Sequence, residues 1–476
     1  MVDLGAADVR AVRYGSAVGV LYSSACDISE AVRTGRWTAE EVVAAHLERI
    51  RTEDRRWNAF RVIRHEAALA EARALDAAGG TRDLPLAGVP IAIKDNVAVT
   101  GETTTHGTAA VAAPASASSD HPVVARLRAA GAVVVGVTRV PELCLFAFTD
   151  SPEAITRNPW NSARTSGGSS GGSAVAVAAG MVPIAHGADG LGSLRIPAAS
   201  CGVITLKPGR GVVPAGLGVG DWFGMAENGI LATTVEDLAL GHGVLAGTKT
   251  PELTSAAGAD LRIGTSTRSP LVGTRPDADS RSGVDRAAAA LAALGHRVAP
   301  TRVPYPTSAA LALIFRWFAV SAVDAESFGT HPAGLQKRTR RHAQLGRVVT
   351  RVGLVRSRPV QAFQARLHAL FESVDILLTP VLIGSPPPAQ EWHRRGWLTN
   401  VLTSSRFAPY PAVWNLAGYP AMSIPMGTRS DGLPLAVQMI GAPGSEARLL
   451  AVAAALQREL PWQRHAAPVE AEYRPS

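Results

Sequence analysis

The chain has 476 residues, 47% of them hydrophobic, and a formal net charge of +8. That supplies a large core, and no run of 18 or more uninterrupted apolar residues is present, which argues against a membrane span. Cys26, Cys144 and Cys201 are too few and too scattered for a disulfide framework or a metal cage, which fits a cytoplasmic protein.

The segment Ser16–Ala25 is mildly apolar and ends at Cys26. Without a basic start or a cleavage site it reads as a tail, not a signal peptide. Thr38-Ala39-Glu40-Glu41 is a capping box and opens the first clear helix, with Val43, Leu47 and Ile50 on one face. Val89-Pro90-Ile91-Ala92-Ile93 predicts a strand that delivers Lys94 and Asp95 at its end. Pro122 opens a helix closed by Gly131, and Val133-Val134-Val135 is the next strand. This alternation implies an α/β fold with helices on both faces of a sheet.

From Arg157 to Gly211 the composition turns to glycine and serine, predicting loop interrupted by one helix from near Ser173 to Gly180. Residues 261–298 read as strand–helix–strand, with Gly295 ending the helix. Residues 305–372 read as a mostly helical insertion. The basic run from Lys337 to Arg341, continuing at Arg347 and Arg351, predicts an exposed helix face rather than a polyanion site. Positive charge is otherwise spread along the chain, so no nucleic acid is expected as a partner. A strand at Ile376-Leu377-Leu378, a turn at Pro386-Pro387-Pro388 and a helix near Glu446–Leu460 complete the chain.

Two segments carry candidate chemistry: Gly167-Gly168-Ser169-Ser170-Gly171-Gly172-Ser173, and Asp189-Gly190-Leu191-Gly192-Ser193-Leu194-Arg195. Neither satisfies a phosphate-binding glycine pattern. A G-x-S-x-G elbow fails because Arg195 stands where the second glycine is needed. No H-E-x-x-H or Cys–His spacing points to a metal.

With Leu86–Asp95, Ser193-Leu194-Arg195-Ile196-Pro197-Ala198-Ala199, Leu206-Lys207-Pro208 and Trp414-Asn415-Leu416-Ala417-Gly418, these motifs resemble the amidase-signature family, in order, from about Asp27 to Pro468. The resemblance implies an α/β/α fold with a large twisted mixed sheet and a helical insertion over the active-site mouth. It implies a single domain at 27–468, with a signature core at about 85–215 and the insertion at about 305–372, between tails at 1–26 and 469–476. It also implies hydrolysis of linear amides through a Ser–cis-Ser–Lys triad, in which Ser193 is the nucleophile, Ser169 the proton shuttle and Lys94 the base. A serine hydroxyl needs such a base, and a lysine can serve only when neutral. Backbone N–H groups of Gly190, Leu191 and Gly192 would form the oxyanion hole, and Ser170, Asp189 and Arg195 would hold the loops in place.

The substrate would be a small-molecule amide, with no organic cofactor, no metal and no membrane partner, and a homodimer is allowed. Leu191 departs from the two glycines usual before the nucleophile and could narrow the pocket. Arg139 replaces a usual asparagine. The Gly190–Gly192 pattern and Trp414-Asn415-Leu416 lean toward cyclic-dimer hydrolases of nylon oligomers. His106, His121 and His186 read as surface or loop histidines. Alternatives left open are the A subunit of a glutamyl-tRNA amidotransferase, an amide-forming acyltransferase and a catalytically silent binding protein on the same fold.

Overall fold

Strand after strand in this chain is buried on both faces, which requires a sheet covered by helices on each side. The computed structural model describes residues 19–111, 115–254 and 260–466. Within them the strands are β1 (Phe60–Ile63), β2 (Pro90–Lys94), β3 (Val133–Thr138), β4 (Arg157–Asn158), β5 (Asn161–Thr165), β6 (Ile184–Asp189), β7 (Ile204–Lys207), β8 (Glu227–Ala232), β9 (Arg262–Thr265), β10 (Arg297–Pro300), β11 (Ile376–Pro380), β12 (Ala421–Thr428) and β13 (Pro434–Gly441). Eleven of them form one mixed sheet in the order β1-β3-β2-β6-β8-β7-β12-β13-β11-β9-β10, and β4 and β5 make a separate hairpin. β2 runs parallel to both β3 and β6, so the C-terminal ends of three adjacent strands, carrying Lys94, Thr138 and Asp189, open on one edge. In open α/β sheets, sites form beyond such strand ends.

Local signals set the elements that were legible in the sequence. Thr38 and Glu41 form the capping box of the Ala39–Trp57 helix, whose Val43, Leu47 and Ile50 are buried. His121 and Pro122 start the Pro122–Ala129 helix. Residues 261–298 fall in β9, the Ala278–Ala293 helix and β10, with β9 and β10 adjacent and parallel, as in a strand–helix–strand crossover.

Four expectations are corrected. The stretch from 157 to 211 is not loop with one helix: it holds β4 to β7 and the helices Gly171–Ala178 and Arg195–Cys201. In Ile184–Asp189 only Ile184 is β-branched, too little for a recognisable strand, but pairing with both β2 and β8 makes it one. The tail boundary at residue 26 falls inside the Ala25–Arg33 helix, which Ser24 and Asp27 cap reciprocally, and the Cys26 N–H donates to Asp237. The basic run is not simply solvated: Arg338 is fully buried against Asp150 at 2.8 Å, while Lys337, Arg341 and Arg347 are exposed. Finally, His186 sits inside the sheet and is not a surface or loop histidine, whereas His106 does lie in a turn, where it stacks on Phe328 with ring centroids 3.8 Å apart. The C-terminal tail at 469–476 lies outside the described residues.

Residues 305–372 supply the helices Thr307–Ser327, Lys337–Arg351 and Arg358–Ser373. The first is long and apolar enough to cross a membrane by composition. Here it packs on the domain, with Arg316, Trp317 and Asp324 buried.

Candidate active site

Lys94 ends β2, and strand alternation turns it and Asp95 to opposite sides. Asp95 pairs with Arg61 at 2.8 Å. Lys94, only 1% exposed, reaches Ser169 Oγ at 2.8 Å and donates to the Ala188 carbonyl at 3.1 Å. Among the described residues no carboxylate lies within ion-pair distance of it, and burial lowers its pKa below the ordinary lysine value; the nearby Cys144 and Asp189 oppose that shift only in part. Ser169 follows a cis Gly168–Ser169 peptide and opens toward the same cavity as Ser193.

The loop from Asp189 to Arg195 is organised around one carboxylate. Burial alone would raise the Asp189 pKa, but the Arg195 guanidinium, helped by Lys207 and Asn415, holds it down at about 2. Asp189 and Arg195 pair at 2.9 Å with no solvent exposure. Arg195 also donates to Asn415 Oδ1, Gln438 Oε1 and the Pro411 carbonyl, and Asn415 donates to the Asp189 carbonyl at 2.8 Å. Ser170 receives the Ala188 N–H, donates to the Ala188 carbonyl, and passes its own N–H to the Ser193 carbonyl at 3.1 Å. Ser170, Asp189 and Arg195 thus hold loops, joined by Asn415, which lies in one of the family-like motifs, and by Gln438, which no motif revealed.

Asp189 also accepts the Gly192 N–H at 2.6 Å and the Leu194 N–H at 3.3 Å. Gly192 is therefore turned inward and is not an available oxyanion donor, contrary to the expectation from sequence. Its φ of +113° explains why glycine stands there. Leu191 keeps a negative φ and lies half-buried against the cavity. A Cβ on Gly190 would fall 2.5 Å from the Trp222 ring, so glycine is needed there for close approach.

Ser193 lies where two cavities meet. One, of about 140 Å³, is lined by apolar side chains including Leu145, Phe146, Leu191, Leu313 and Trp317. The other, of about 30 Å³, contains Lys94, Asn96, His106, Ser169 and Asp324. Asp324 accepts the Trp222 Nε1–H at 2.8 Å and the Val219 N–H at 3.2 Å; burial pushes its pKa up to about 6. Cys144, Trp222 and Asp324 are site residues without a sequence signal, since each enters from a different segment.

The three histidines have no base-like arrangement. His186 is held by Asn228 at 2.9 Å, and burial drops its pKa to about 3. Burial lowers His106 to about 4, and His121 caps the helix that follows it. Arg139 donates its backbone N–H to the Ala59 carbonyl, and nothing gives its side chain a part in this site. No group of three or more His, Cys, Asp or Glu able to hold a metal occurs among the described residues.

A family model described as Amidase matches residues 41–450. A relative from Mycobacterium tuberculosis (strain ATCC 25618 / H37Rv), named "Putative amidase AmiB2", is 42% identical over 441 residues, covering 90% of this chain and 94% of its own. Among solved structures, 6-aminohexanoate cyclic dimer hydrolase superposes with a TM-score of 0.83 at 29% identity, over 93% of this chain and 98% of that one. A bacterial aryl acylamidase of the amidase-signature family gives 0.80 at 25% identity, over 92% and 96%.

Proposed function

The chain belongs to the amidase family, and from that premise we propose that it hydrolyses the carbon–nitrogen bond of a linear amide through an acyl-Ser193 intermediate. The observation that carries this reading is the 2.8 Å contact between Lys94 Nζ and Ser169 Oγ, made inside the cavity that Ser193 lines. When Lys94 is neutral, the Ser169 O–H donates to Nζ and the Ser169 oxygen accepts the proton of Ser193. Ser193 Oγ then attacks the carbonyl carbon. The backbone N–H groups of Gly190, Leu191 and Ser193, none committed to Asp189, receive the developing oxyanion. The proton returns through Ser169 to the leaving nitrogen, and water completes the cycle. The apolar space of about 140 Å³ beside Ser193 suits an acyl group of about one benzene ring.

A fluorophosphonate probe should label the wild type, with the adduct mapping to Ser193, and should leave Ser193→Ala unlabelled. Labelling that persists in that variant would remove the assignment.

A further inference from the structure

We infer that the preferred substrate is an uncharged primary amide whose acyl group ends in one aryl ring or a short branched alkyl chain, with Asp324 receiving the amide NH2. The inference rests on the amidase reading and adds to it the substrate class and a further residue.

The two cavities differ in kind. No Asp, Glu, Lys, Arg or His lines the larger one among the described residues; its polar groups are the thiol of Cys144 and the hydroxyls of Ser193, Ser404 and Ser405. A charged group placed there would lose its hydration without a counter-ion. Free glutamine, which carries an ammonium and a carboxylate, therefore does not fit. An apolar group of benzene size does, since a dry cavity of about 150 Å³ takes benzene.

The smaller cavity, about 30 Å³, is roughly two to three times the space that one ordered water needs. It has room for an NH2 or a methoxy group but not for an arylamine. It also contains a carboxylate without a cationic partner: among the described residues the Asp324 side chain is held by Val219 and Trp222 alone and pairs with no Lys, Arg or His. Its two oxygens take one N–H each from Val219 and Trp222, and an ionised carboxylate accepts about four hydrogen bonds. Trp222 is presented by the Gly220–Gly224 turn, in which Asp221, Trp222 and Phe223 all have positive φ. Three consecutive left-handed side-chain residues are unfavourable, so the surrounding structure must enforce this turn. The turn aims the indole N–H at Asp324 and the ring beneath Gly190.

The bond balance follows the same orientation. The Ser193 Oγ–carbon bond forms as the carbon–nitrogen bond breaks. The nitrogen receives the proton relayed by Ser169 and leaves as ammonia from the small cavity. Water then releases the apolar acid and restores the Ser193 hydroxyl.

The test compares kcat/KM for phenylacetamide, N-phenylacetamide, glutamine and methyl phenylacetate in the wild type and in Asp324→Asn. Phenylacetamide should be the best of the three amides. Asp324→Asn should lower its kcat/KM by roughly ten- to a hundredfold and leave the ester, which has no N–H to donate, near wild type. Equal losses on amide and ester would reduce Asp324 to a structural residue, and faster cleavage of N-phenylacetamide would reverse the orientation. Either overturns the inference while amide hydrolysis stands. Absence of both amide hydrolysis and Ser193 labelling would instead remove the underlying reading. Should Asp324→Asn fail to fold, Ala310→Phe, which fills the larger cavity, should abolish phenylacetamide cleavage and spare acetamide; loss of neither would also overturn it.

Discussion

Two lysines are buried in this sheet, each at the end of a strand, and they are put to different uses. Lys207 ends β7 and donates to the Pro208 carbonyl. Burial lowers its pKa, but Asp189, Glu227 and Glu446 all pull the other way. Burial in turn pushes Glu227 up, against the pull of Lys207. Lys94 ends β2 with a hydroxyl and a carbonyl as its hydrogen-bond partners, and the carboxylate next to it in sequence is taken by Arg61. A lysine set among carboxylates retains its proton and braces the sheet. On the proposed reading, a buried lysine facing a serine, its pKa lowered by burial, is the one that can serve as a base.

The largest effect should come from Lys94→Ala. Loss of a general base costs roughly a hundred- to ten-thousandfold in rate. Amide turnover should fall by that much while the far-ultraviolet circular dichroism spectrum is retained. Near-normal turnover would move the base elsewhere.

Lys207→Met should do the reverse. Removing the charge leaves Glu227 and Glu446 without their nearby cation, so stability should fall by roughly 1–3 kcal/mol, the cost of stranding a buried polar group. Turnover per folded molecule should stay close to wild type. A variant that unfolds no more easily but loses turnover would erase the distinction between the two lysines.

The smallest effect concerns the wall of the cavity. Leu191→Gly removes a half-buried side chain from a position with negative φ, which should cost about 0.5–1 kcal/mol through backbone entropy. It should also admit bulkier acyl groups. An unchanged amide profile would show that Leu191 does not limit the pocket.

What was legible in the sequence was local. Val89–Ile93 announces a buried strand by its apolar run, and Lys94 follows because the strand ends there. Thr38 and Glu41 announce a helix start by reciprocal capping. The motifs around Ser169, Ser193 and Lys94 carried the family resemblance, and the fold that it implied is the one observed. Partners brought together over long separations were not legible. Arg195 meets Gln438 across 243 residues, Arg338 meets Asp150 across 188, and Trp222 meets Asp324 across 102. No periodicity or spacing encodes such pairs, so Arg338 read as a surface charge and Asp324 as one residue of a helical insertion. The Gly192 N–H was misassigned for the same reason: the family resemblance carried it over as a donor, and only the position of Asp189 shows that it is already engaged.

The claim that Lys94 acts as a neutral buried base is tested most directly by the rate of fluorophosphonate labelling at Ser193 as a function of pH, in wild type and in Lys94→Ala. Burial depresses the lysine, so it is protonated and inactive at low pH and becomes a base as pH rises. Wild-type labelling should therefore climb along an acidic limb centred below about 10.4, the value of an unperturbed lysine, and reporting the Lys94–Ser169–Ser193 network as a whole. Lys94→Ala should label slowly and without that limb. The same limb in both proteins would contradict the assignment of Lys94 as the base.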